Sequence, residues 1–181
     1  AMCRADLMDR ELLENLKRSG LMAVKYGVES ADQQIVNDCG KALSIAKVRS
    51  TCKLTTELGI RMHLTFMFGL PGETRETAAA TRALALELNP HSAQFSIATP
   101  FVGSRYYDQL KTSGHLHSED YGRFDGYHTT EVSTDALSSK DLEAIAAEMH
   151  STWLEHTIRR GPSGPSVQQE RQGVSVIVPH L

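Results

Sequence analysis

Apolar positions follow two rhythms along this chain. From Ile60 to Phe68 they alternate strictly through Met62, Leu64 and Phe66, the period-two pattern of a strand with one buried face. Leu21 to Val28 and Ser92 to Thr99 are short, largely apolar runs and read as two further strands. Between them the rhythm becomes helical. Asp9 caps a helix whose Leu12, Leu13 and Leu16 share one face and which Ser19-Gly20 stops. Asp32 to Cys39 predicts a short helix, and Ser44 caps a longer one on Ile45, Val48, Cys52 and Leu58, ending before Gly59. Residues 74–88 predict an alanine-rich helix closed by Asn89-Pro90, because proline disfavours helix in the residue before it. A short helix follows from Ser104 to Thr112.

The strand ends near Gly27, Phe68 and Thr99 lie 41 and 31 residues apart. That spacing leaves room for one helical crossover each, as a parallel sheet requires. Residues 113–137 are polar and loop-like, and Ser138-Ser139 opens a last helix to about Arg160 with Leu142, Ile145, Met149, Trp153 and Ile158 on one side. Gly161 to Ser166 reads as a linker, and Val174 to Val178 as a lone strand without a visible partner. The expected division is a partial βα barrel over 1–112, a loop-and-helix extension over 113–160, and a linker and tail over 161–181.

Composition narrows the class. Nineteen Lys and Arg against 22 Asp and Glu, a net charge of −3 without long like-charge runs, argue against a nucleic-acid surface. No stretch approaches the roughly 20 apolar residues of a membrane span, and the N-terminus lacks the apolar run of a signal peptide. Cys3, Cys39 and Cys52 have neither disulfide-framework nor metal-knuckle spacing. A cytoplasmic, reducing location is the expectation. His115-Leu116-His117 leaves a tetrahedral metal set incomplete and reads as a turn. His63 reads as a hydrogen-bonded core histidine, and His150 and His156 do not share a helix face at i,i+4 spacing. Trp153 and Tyr127 read as packing residues.

Ligands of parallel α/β proteins meet the carboxyl ends of the strands. Three segments fall there: Gly27-Val28-Glu29-Ser30, Phe68-Gly69-Leu70-Pro71-Gly72-Glu73-Thr74, and Ala98-Thr99-Pro100-Phe101-Val102-Gly103-Ser104. A glycine leaving a strand lets backbone approach a ligand, because no side chain intervenes. Glu29 can accept hydrogen bonds from a ribose diol, or it can serve the helix that starts near Asp32.

In this order and spacing the segments resemble the radical S-adenosylmethionine (radical SAM) superfamily, and look closest to the subgroup that often carries a cobalamin-binding domain. Gly27 to Ser30, with Asp32, Ile35 and Lys41 following, is similar to the family's fourth strand and its exit. Met67 to Thr74 resembles the fifth-strand signature, and Phe95 to Ser104 the sixth strand and the turn beyond. Tyr121 to Gly126 and Leu137 to Leu142 resemble the segment and helix after the barrel. The resemblance covers roughly residues 3–160 and implies about strands 4–6 of a TIM-like barrel with a C-terminal helical extension. It places Glu29, beside Ser30, at the ribose of SAM, Lys41 at the methionyl carboxylate, Thr65 on the ribose side, and backbone from Ile97 to Thr99 at adenine. Solvated or packing roles for Lys41 and Thr65 stay open. Arg4 is a further candidate for a substrate or carboxylate contact.

The family holds a [4Fe–4S] cluster on a C-x3-C-x2-C loop, a spacing absent here. Ala1 to Asp6 looks like the end of the third strand, so the resemblance implies that the cluster loop, the first strands and any cobalamin domain lie outside this sequence. The expected partners are that N-terminal half and a small-molecule substrate. Alone, the chain is expected to be inactive; joined to its other half, it is expected to support 5′-deoxyadenosyl radical chemistry, methyl transfer or ring formation. The rival readings are a non-catalytic module that recognises a nucleotide-like ligand or a partner chain, and an ordinary barrel enzyme such as an aldolase. Lys25 is the strand lysine an aldolase would need, yet its sequence neighbours supply no partner.

Overall fold

The computed structural model describes residues 1–161; the tail beyond them, including the strand expected at Val174 to Val178, lies outside the described residues. Four strands form one sheet: β1 (Met2–Cys3), β2 (Ala23–Glu29), β3 (Arg61–Phe68) and β4 (Ser92–Ile97). Spatial order follows chain order, and all three pairings are parallel. The crossovers are α1 (Arg10–Arg18), then α2 (Gln33–Asp38) with α3 (Ile45–Glu57), then α4 (Arg75–Leu88). Beyond the sheet lie α5 (Arg105–Ser113) and α6 (Ser139–Arg160).

Each helix starts where a short polar side chain can take up free backbone N–H groups. Asp9, Asp32, Ser44 and Ser104 accept from the first turns of α1, α2, α3 and α5. Thr74 and Ser138 form reciprocal capping boxes with Thr77 and Asp141 at the starts of α4 and α6.

The period-two pattern decides which face is covered. Met62, Leu64, Phe66 and Phe68 of β3 are buried with Val24, Tyr26 and Val28 of β2 and Phe95 of β4. Leu13, Val48, Cys52, Leu84 and Met149 close the same core from α1, α3, α4 and α6. Phe66 stacks on Phe95 at 5.5 Å, and Trp153 meets Phe95 edge-on at 5.8 Å. Fully burying one such side chain is worth about 1.5–3 kcal/mol. Because α6 contributes to this core, the expected boundary between residues 112 and 113 is one of sequence pattern, not of packing.

The opposite face of the sheet carries Lys25, Gly27, His63, Thr65, Met67, Gln94 and Ser96, all only partly buried among the described residues, with Met67 packed near Tyr106. His63 is therefore not a core histidine: it sits half-buried on this open face, bonded to Ser92 at 2.8 Å. The segment expected as loop and turn has order of its own. Leu116 bridges Val132 in antiparallel fashion, and the Gly126 carbonyl accepts the Ile97 N–H at 2.7 Å, so this segment runs along the edge of β4. No described helix is long and apolar enough to cross a membrane.

Candidate active site at the carboxyl ends of the strands

A cleft of about 900 Å³ opens over the open face and the ends of β2, β3 and β4. Of the residues singled out in the sequence, Glu29, Lys41, Thr65, Ile97 and Thr99 all line it, as does Arg4. Ser30 does not. An irregularity in the β2–β3 register between Gly27 and Glu29 marks the strand exit, and beyond it Ser30 turns into the interior. There its hydroxyl meets Thr81 at 3.2 Å and accepts the Asp32 N–H, which makes it a structural residue at the entry of α2.

Glu29 leaves the strand with φ = 69°, a left-handed conformation uncommon for a non-glycine residue. Strain of this kind is retained where surrounding structure over-determines it, and here it aims a carboxylate into the cleft. Lys41 pairs with Glu29 Oε1 and donates to the Gly27 carbonyl at 3.0 Å. Glu29 Oε2 makes no hydrogen bond among the described residues. Gly27 is required by this close approach: a Cβ there would collide with the Lys41 ammonium and come within 2.7 Å of Glu29 Oε1.

Arg4 does not reach into the cleft as a free cation. Its guanidinium is held by Asp6 at 2.8 Å and donates to the Lys41 carbonyl at 2.9 Å, so it fixes the loop that carries Lys41. At the far wall, the N–H groups of Ile97 and Ala98 are already given to Gly126 and Phe68. Of the three backbone donors expected near adenine, only that of Thr99 has no partner among the described residues.

The loop after β3 holds a group whose role the sequence pattern does not reveal. Glu73 is 1% exposed and accepts the Gly69 N–H on Oε2 at 2.5 Å, while its Oε1 has no hydrogen-bond partner among the described residues. Burial pushes its carboxyl up to about 7. Tyr106 donates to the Gly69 carbonyl at 2.7 Å and Thr134 to the Glu73 carbonyl at 3.0 Å, tying the loop to α5 and to the segment before α6. In the sequence Glu73 stands out only as a member of the strand-end segment Phe68 to Thr74, and nothing there marks it as buried.

Other residues differ from expectation. Tyr127, expected to be a packing residue, lines the cleft and bonds Gln94 at 3.2 Å. His115 and His117 both bond Ser133 Oγ, at 3.0 and 2.9 Å, and His115 also meets Asp135 at 3.0 Å.

Residues 2–85 match the sequence profile of the radical SAM superfamily. This segment is radical SAM sequence. The chain is 32% identical over 108 residues to an uncharacterized methyltransferase of Pyrococcus horikoshii, covering 60% of this chain and 24% of that protein. A cytidylyl-2-hydroxyethylphosphonate methyltransferase of Streptomyces wedmorensis is 30% identical over 120 residues, covering 62% and 22%. The chain thus spans less than a quarter of the length of either relative.

Among solved structures, Escherichia coli coproporphyrinogen III oxidase, a radical SAM enzyme, superimposes with a TM-score of 0.64 at 15% identity, covering 86% of this chain and 31% of that one. The methyltransferase TsrM of Kitasatospora setae, solved with cobalamin and a [4Fe–4S] cluster, gives 0.56 at 19% identity, covering 66% and 23%. These likenesses concern the fold: the four-stranded parallel sheet and its helices superimpose on part of the βα barrels of those enzymes.

The side chains present differ in how well they suit the family's two groups. Cys3 ends β1, Cys39 closes α2 and Cys52 lies inside α3, and burial raises all three thiols, that of Cys52 to about 12. Cluster ligands are thiolates that converge. No group of three or more His, Cys, Asp or Glu among the described residues can hold a metal ion, so these cysteines do not fit a [4Fe–4S] cluster. A nucleoside with an aminoacyl arm does fit. The cleft offers a free carboxylate oxygen, a lysine, the Thr65 hydroxyl and an apolar wall of Met67, Leu70 and Ile97.

Proposed function

We propose that the cleft is the SAM-binding half-site of a radical SAM enzyme, with the cluster ligands supplied by polypeptide outside this sequence. The observation that carries it is Glu29: a strained strand-end carboxylate, one oxygen held by Lys41 and the other open to the cleft, beside the bare backbone of Gly27. Bound SAM, reduced at the cluster, would supply a 5′-deoxyadenosyl radical or, in the cobalamin-dependent branch, a methyl group.

This chain's residues bind and orient. Glu29 Oε2 accepts from a ribose hydroxyl, and the Thr65 hydroxyl lies on the same face. Lys41 has three donors, of which Gly27 and Glu29 use two, leaving one for a carboxylate. The Thr99 N–H serves the base, and Met67, Leu70 and Ile97 keep water from it. The methyltransferase relatives favour methyl transfer to a small molecule as the reaction class, and the cobalamin seen in TsrM is the further cofactor this reading admits.

Titrating isotope-labelled protein with SAM, or with 5′-deoxyadenosine plus methionine, should shift the amides of Glu29, Thr65 and Thr99. Two or three hydrogen bonds of about 0.5–1.5 kcal/mol each leave weak binding, with dissociation on the order of a millimolar, or about 4 kcal/mol. Glu29→Ala should abolish these shifts without unfolding the chain. Shifts that persist in that variant, or that move to residues 113–137, would remove the ribose role.

A second reading, a nucleoside-binding module without redox chemistry, draws on the cysteine misfit. Cluster-dependent cleavage of SAM by a polypeptide that contains this sequence would exclude it.

A further inference from the structure

Two cations that line the cleft, Lys25 and Arg105, make no ion pair among the described residues, and only Lys25 lies on the sheet face. Lys41 and Arg4 are engaged with carboxylates and carbonyls, whereas Lys25 makes no ion pair among the described residues. Lys25 is half-buried on the open face of β2, two residues and about 7 Å before Gly27 along the strand. Its ammonium donates to Gln94 Oε1 at 3.4 Å across the face of β3. We propose that Lys25, Gln94 and Tyr127 form an oxyanion-binding subsite for a carboxylate, phosphate or phosphonate group of the substrate. That the anion belongs to a substrate rests on the radical SAM reading; the anion subsite itself does not.

The donors can be followed in sequence. Gln94 spends its carbonyl on Lys25, which turns its NH₂ toward the Tyr127 hydroxyl oxygen at 3.2 Å. Tyr127 accepts there, so its own O–H is free to donate into the cleft. Lys25 has used one of three donors. Three unspent donors, two on the Lys25 ammonium and one on Tyr127, thus line the same cleft from β2 and from the segment that edges β4. His63, paired with Lys25 in the sheet register, does not add a competing charge: burial first, and the Lys25 charge second, lower its pKa and keep the ring neutral. A lysine ammonium with donors to spare favours an incoming oxyanion through charge-assisted hydrogen bonds. Arg105 also lines the cleft, but it is exposed on α5, where solvent screens its charge.

The test is a titration of the labelled 181-residue chain with methylphosphonate and with acetate at constant ionic strength. The expected responses are at the Lys25 ammonium, the Gln94 side-chain amide and the Tyr127 ring in the unaltered protein. Lys25→Met should weaken binding at least about ten-fold, and Gln94→Leu, which keeps the charge, roughly three-fold. Both variants should keep the Glu29 response to 5′-deoxyadenosine. Responses centred on Arg4, Lys41 or Arg105, or affinity unchanged in Lys25→Met, overturn the subsite. An L-methionine arm separates the two sources of oxyanion. If only methionine, and only with 5′-deoxyadenosine present, titrates Lys25, the group belongs to the cofactor's aminoacyl arm and the substrate assignment fails. If methylphosphonate titrates Lys25 while 5′-deoxyadenosine leaves Glu29 unmoved, the nucleoside reading fails and the anion subsite stands. Because the mapping is made on the unaltered chain, it decides the matter even where a variant folds poorly.

Discussion

At Gly27 the absence of one carbon atom decides whether Lys41 and Glu29 can occupy the same corner. The atoms a Cβ would meet are the ends of flexible chains, so Gly27→Ala should move the lysine and the carboxylate and spare the backbone. Its stability is expected within about 1 kcal/mol of the parent, while affinity for 5′-deoxyadenosine falls about ten-fold. A urea midpoint and a nucleoside titration on the same samples check this, and an unchanged affinity would mean that the pair takes no part in binding. At this scale the sequence was a fair guide where one residue carries the chemistry. That Glu29, Lys41 and Thr65 line one cleft was legible, because they fall on or just after strand ends. Ser30 was not, since a break in strand register is invisible in the residues themselves. Lys25, Gln94 and Tyr127 were not, since they lie 69 and 33 residues apart and nothing local links them.

Among the elements, the loop from Gly69 to Glu73 has the sharpest chemistry. Glu73 carries a folded pKa of about 7 against 4.5 for the free group, so between those values the folded state binds more protons than the unfolded one. Its contribution to stability is therefore intact below about pH 4.5 and is lost as the pH rises through about 7, by at most about 3 kcal/mol. Denaturation near pH 5 and near pH 8 should show the parent losing about 2–3 kcal/mol more than Glu73→Gln over that interval. Equal pH responses in the two proteins would place the ionisation elsewhere. Helix starts were legible to the residue, because Asp9, Asp32, Ser44, Ser104 and Ser138 each accept the hydrogen bonds their position requires. Residues 113–137 were opaque for the converse reason. Much of their order comes from a single carboxylate, Asp125, which accepts from the N–H groups of Tyr127, His128 and Thr129, and that leaves no periodic trace.

Across the whole molecule, the three thiols sit in separate elements and are held in their protonated form. Anaerobic reconstitution of this chain with iron and sulfide is therefore expected to yield no stable [4Fe–4S] absorbance; a thiolate-to-iron charge-transfer band that disappears in Cys39→Ser would contradict this. The parallel barrel segment was legible as a whole because its alternations of strand and helix repeat at the spacing a crossover demands. The one-sided core has a consequence for how such a protein can diversify. Along β2 and β3 the positions that fold the chain and the positions that meet a ligand alternate one by one: Tyr26 against Lys25 and Gly27, and Leu64 and Phe66 against His63 and Thr65. Each strand is thus two interleaved texts, one read by the core and one by whatever enters the cleft. A lineage can rewrite the second, residue by residue, and acquire new substrates while the first goes on specifying the same barrel.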